Sequence, residues 1–172
     1  MRRILCLRRN AVAVVYCVAH ALMRRYVLRG KNGILYKKIE KALLEYFRSN
    51  LERLSDKEID LIDIGVFPWH SKIEVSFYES GDSASLDDIA AWKLYDFSSM
   101  NEGHWNLGLD VAEDLSKEWD KSRDILPFLF DFSSAVTSDA VRAVIGEYKL
   151  SNNFCVQILD PDMPNSKNYC EW

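Results

Sequence analysis

Residues 59–79 read IDLIDIGVFPWHSKIEVSFYE, and the reading of this stretch decides the fold. Its second half, Lys72 to Glu79, alternates Ile73, Val75 and Phe77 with Lys72, Glu74 and Ser76. A period of two sends alternate side chains to opposite faces of a strand, so one face is buried. The first half, Ile59 to Phe67, alternates at Ile59, Asp60 and Leu61 and then becomes almost continuously apolar. Pro68-Trp69-His70-Ser71 breaks the run, since proline cannot donate to a strand ladder. Two strands joined by so short a break are expected to form an antiparallel hairpin.

Working outward, Ile34 to Leu54 carries Leu35, Ile39, Leu43, Phe47, Leu51 and Leu54 at spacings of three and four, with Lys37, Lys38, Lys41, Glu45, Arg48 and Glu52 between them. This is the period of an amphipathic helix. Ile89 to Phe97 is ambiguous between a short helix and a third strand; Trp92, Tyr95 and Phe97 favour a strand for its second half. Residues 105–121 place Leu107, Val111, Leu115 and Trp119 four apart, a second helix. Pro127 interrupts ILPFLFDF, which is expected to be a buried connector or short edge strand. Ser138 is expected to cap a third helix with Asp139 in its first turn and Val141, Val144, Ile145 and Tyr148 as its stripe. Asn152-Asn153 reads as a turn, and residues 154–159, FCVQIL, as a last strand. Strands and helices do not alternate regularly. The expectation is an α+β domain, an antiparallel sheet with helices packed mainly on one face.

Charge divides the chain in two. Residues 1–30 hold seven of the 22 Lys+Arg and none of the 26 Asp+Glu, which leaves 15 cations against 26 carboxylates, a formal −11, on residues 31–172. The basic, apolar head is read as an N-terminal extension, and residues 31–172 as a single domain with apolar content enough for a core. The head's apolar run, residues 11–23, is shorter than the about 20 residues that span a bilayer as a helix. Ala19-His20-Ala21 has the form of a signal-cleavage site, but Arg24 and Arg25 follow it at once and oppose translocation. A true start at Met23, and an integral helix or strand of the domain, are the other readings.

Candidate chemistry is sparse. Cys6, Cys17, Cys155 and Cys170 form no CxxC pair, and no His or Cys stands at ligand spacing from another, so neither a metal nor a cofactor is expected. Free thiols are expected rather than a Cys155–Cys170 disulfide. His70 and His104 lie in loops beside tryptophans, and Asp160-Pro161-Asp162 fits a turn after a strand. Ser98-Ser99 and Ser133-Ser134, each inside a DFSS quartet, lack the elbow of a nucleophilic serine. Gly30-Lys31-Asn32-Gly33 lacks the spacing of a phosphate loop. No direct nucleic-acid contact is expected of an acidic body. The helix at 105–121 carries Asp110, Glu113, Asp114, Glu118 and Asp120, with Trp92, Trp105 and Trp119 near it in sequence. Aromatic anchors inside an acidic rim form the candidate surface for a basic partner.

From residue 34 onward the chain resembles small bacterial immunity proteins of polymorphic-toxin systems. The likeness is carried by the opening helix, the hairpin DIGVFPWHSKIEVSFYES, the segment AAWKLYDFSS and the closing NFCVQILDPD. It implies a non-catalytic, cytoplasmic protein that blocks a cognate toxin, and the −11 body points to a basic toxin domain, such as a nuclease, as the partner. An exported or envelope-associated protein with a structural or ligand-binding role is the alternative, resting on the signal-like residues 1–21.

Overall fold

The structure, a computed structural model, describes residues 33–100 and 105–172; the expectations for residues 1–30 and for His104 lie outside these. Strand β1 (Ile59–Phe67) occupies the centre of a three-stranded sheet. The hairpin partner β2 (Lys72–Glu79) runs antiparallel to it, pairing Ile62 with Phe77 and Ile64 with Val75. On the other side β3 (Leu150–Gln157) runs parallel, pairing Ile62 with Val156. The chain is α+β as expected, but its sheet is mixed rather than wholly antiparallel. The reason is topological. The chain between β2 and β3 is a long crossover through helices, and such a crossover lets the returning strand enter in the direction of the first.

Five α-helices stand among the described residues. They are α1 (Ile34–Asn50), the single-turn α2 (Phe97–Met100), α3 (Asn106–Ser122), α4 (Leu126–Val136) and α5 (Asp139–Ile145). Ser138 caps α5, its Oγ accepting from the Val141 N–H at 3.4 Å. The segment ILPFLFDF is a helix, not a connector or strand. Pro127 sits in the first turn of α4, where its missing N–H has no intrahelical partner to lose. Residues 89–97 form no third strand. Ile89–Ala91 is a 3-10 turn, and only Leu94 bridges the sheet, its carbonyl accepting from the Phe77 N–H at 3.1 Å. Asn152 and Asn153 lie within β3 rather than in a turn; an edge strand tolerates their exposed polar side chains.

The sheet has two unlike faces. Ile62, Ile64 and Val66 of β1, Ile73, Val75 and Phe77 of β2 and Val156 of β3 join one core with Ile39, Leu43, Phe47, Leu115, Leu129, Phe132 and Ile145 of the helices. Leu61, Asp63, Gly65 and Phe67 of β1 alternate with these, and their cross-strand partners are Tyr78, Ser76, Glu74 and Lys72 of β2. This second face is covered by a loop. The Trp92 ring packs edge-on to Tyr78 with centroids 5.2 Å apart, and the Asp96 N–H donates to Ser76 Oγ at 2.9 Å.

Candidate functional site

The outer face of α3 presents the five expected carboxylates, and a cation answers almost every one. Lys38 of α1 pairs with Asp114, which also lies 3.7 Å from Lys117. Lys117 reaches Glu113 at 3.7 Å, Lys121 reaches Glu118 at 2.6 Å, and Arg123 reaches Asp120 at 3.0 Å. The hydrogen bond and charge of Lys38 hold the Asp114 carboxyl below its usual range. Asp110 is exposed and makes no ion pair among the described residues, though its charge favours the protonated form of Lys38. The face is acidic in sequence and close to neutral in space.

The three tryptophans are not gathered as anchors inside an acidic rim on this face. Trp92 is only 3 % exposed and donates its Nε1–H to the Ser85 carbonyl at 3.0 Å on the second sheet face, so it offers a partner no surface. Trp105 fastens α3 to α1. Its Nε1–H donates to the Ala42 carbonyl at 2.9 Å and its ring lies against Tyr46 at 4.7 Å. Gly108 makes room for that ring, since a Cβ there would stand 2.2 Å from Trp105 Cδ2. Trp119 is half-buried against Trp69 at 5.4 Å, with Arg123 over its ring. Its Nε1–H is buried without a partner among the described residues.

A larger concavity lies elsewhere, on the second sheet face. It is a groove of about 560 Å3 with Asp63, Gly65 and Phe67 of β1 and Gln157 of β3 in its floor. One wall comes from the loop holding Leu86, Asp87 and Ile89, the other from the turn holding Asp160, Pro161 and Met163. No lysine or arginine lines it among the described residues. Gln157 Nε2 donates to Asp63 Oδ1 at 2.9 Å, and Asp63 Oδ2 accepts no hydrogen bond there. Burial pushes the Asp63 carboxyl up to about 6; the Gln157 bond opposes that rise and the charge of Glu74 adds to it. Asp160 is also buried, its Oδ1 accepting from the Asp162 N–H at 3.1 Å.

Comparison with protein-family models, curated proteins and solved structures finds no match.

The remaining candidates are structural. His70 is exposed and packs on Trp69 at 6.1 Å. Asp160 and Asp162 make the expected turn, while Phe97–Ser99 of one DFSS quartet and the whole of the other, Asp131–Ser134, are helical. Ser98 Oγ accepts from the Val75 N–H at 3.0 Å and donates to Asp96 Oδ1 at 3.1 Å, so it holds α2 to the sheet. Cys155 and Cys170 are free thiols, and burial pushes Cys170 up to about 12. Among the described residues no group of three or more His, Cys, Asp or Glu is placed to hold a metal ion, and no helix is long and apolar enough to cross a membrane. Sequence reasoning missed Asp63, Gln157, Leu86 and Met163. One signal was present: Asp63 stands in the middle of an apolar run, where a carboxylate is out of place.

Proposed function

We propose that this protein binds and neutralises a basic protein, in the manner of an immunity protein that captures a cognate toxin domain such as a nuclease. One observation carries the reading: the formal −11 on residues 31–172. A field of one sign over the body attracts a partner of the other and speeds its encounter. The resemblance of residues 34–160 to immunity proteins supports the same class of function, acting by stoichiometric capture in the cytoplasm.

Co-expression with the products of the genes flanking its own tests this. The expected result is a one-to-one complex with a basic product, whose association slows steeply as salt screens the charges. Failure of any flanking product to bind at low salt overturns the reading. Cleavage after Ala21, seen by mass spectrometry of the native N-terminus, would instead favour the exported alternative.

A further inference from the structure

Within that binding function, the structure distinguishes two places where a basic partner could dock. The α3 face has already paired four of its five carboxylates, with Lys38, Lys117, Lys121 and Arg123. A partner docking there must displace existing pairs, and exchange of one exposed pair for another gains little. The groove differs in three independent ways. Asp63, Asp87 and Asp160 make no ion pair there among the described residues, and no cation lines the walls. Asp63 is 6 % exposed and its Oδ1 is held by Gln157, while Oδ2 accepts no hydrogen bond among the described residues and is left for a charged donor that enters the groove. Leu86 and Met163, which line the groove, are 52 % and 55 % exposed and are two of five large apolar side chains left open to water among the described residues.

Resting on the reading above, we infer that this groove is the docking surface. It takes an arginine side chain of the basic partner against Asp63 and Asp160, with an apolar neighbour of that arginine between Leu86 and Met163. Arginine fits better than lysine. Its guanidinium is weakly hydrated and planar, so it enters a half-buried site at lower desolvation cost and donates to two oxygens at once. An apolar contact beside a desolvated charged one is the usual composition of an interface centre.

The test uses the full chain, isotope-labelled, titrated with acetyl-arginine amide and with acetyl-leucyl-arginine amide and followed by amide chemical shifts. Shifts are expected at Asp63, Gly65, Gln157 and Met163, with several-fold tighter binding of the dipeptide. Asp63→Asn, which keeps the shape and the Gln157 bond, should weaken both probes at least about fivefold. Leu86→Ser with Met163→Ser should erase the advantage of the dipeptide alone. Shifts gathered on α3, or equal binding by the Asp63→Asn protein, overturn the inference. So do contacts from residues 1–30 or from a second copy into the groove, since either would be a different occupant.

The two readings fail separately. Probes that bind the groove while no flanking product binds the protein leave the groove standing and sink the proposed function. A partner whose affinity ignores both Asp63→Asn and the Leu86/Met163 pair sinks the groove and leaves the function.

Discussion

On α3, Glu113, Asp114, Glu118 and Asp120 each have a lysine or arginine beside them; in the groove, Asp63, Asp87 and Asp160 have none. The two surfaces carry the same functional group in opposite settings. A run of carboxylates along a helix in sequence says nothing of the cations that neighbouring turns and helices bring to it. Lys38, 76 residues away in the chain on α1, is what quiets Asp114. Exposed and paired, the α3 charges keep the surface hydrated. Buried and unpaired, Asp63 stores an unfavourable free energy that a binding cation would release.

The largest effect should come from removing the platform under the paired face. Leu115→Asp puts a carboxylate into a fully buried site of the core, at a cost of about 4 kcal/mol or more. Loss of the cooperative thermal transition by circular dichroism is the expected outcome, and a folded variant would show that α3 packs differently. Next in size is Gly108→Ala. In a helix, alanine is ordinarily favoured over glycine by up to about 1 kcal/mol. Here the new Cβ meets Trp105 at 2.2 Å, so a net loss of about 2 kcal/mol is expected instead. Denaturant melts together with a red shift of tryptophan emission would report the displaced ring.

The groove gives a pH dependence of the opposite sign to most carboxylates. Asp63 titrates near 6 in the folded chain, against 3.8 for the ordinary side chain. A raised folded value means that its stabilising contribution is complete below about 3.8 and is lost as pH rises through about 6. Asp63→Asn should therefore stabilise the protein at neutral pH by about 2 kcal/mol, with the gain fading toward pH 4. Urea melts at both pH values check it. A smaller slope of the same sign should persist in that variant, because burial alone pushes Asp131 on α4 up to about 6 as well. The smallest effect belongs to the paired face. Glu118→Lys with Asp120→Lys should change stability by no more than about 0.5 kcal/mol. It should alter the association rate with a basic partner less than Asp87→Lys does, as stopped-flow mixing would show. A larger slowing from the α3 pair would return that face to the centre of recognition.

Local pattern made α1, the hairpin, α3 and the cap of α5 legible, because each is specified by residues within a few positions of one another. Three features were not. Leu126–Val136 is apolar on most sides, so its period of 3.6 has little contrast, and Pro127 reads as a breaker unless the helix is known to start there. The rings of Trp92, Tyr95 and Phe97 imitate a strand, but each is placed by a separate tertiary contact. Trp92 meets Tyr78, the Tyr95 hydroxyl donates to Glu74 at 3.2 Å, and Phe97 packs on Phe77. The direction of β3 is set by its entry from α5, which no property of FCVQIL encodes. The groove was the least legible of all. Asp63 and Gln157 meet across 94 residues, and Leu86 and Met163 look like ordinary loop residues until both are found lining the same hollow.

Because β3 closes the free side of β1, the middle of the sheet depends on a segment made long after the hairpin. During synthesis the hairpin and α1 leave the ribosome well before residues 150–157 do. Until then β1 shows a bare row of amides and carbonyls beside an apolar face. The growing chain thus passes through a sticky intermediate whose lifetime is set by the translation of some eighty further codons. A pause in that interval should matter more to the yield of this protein than a pause anywhere upstream.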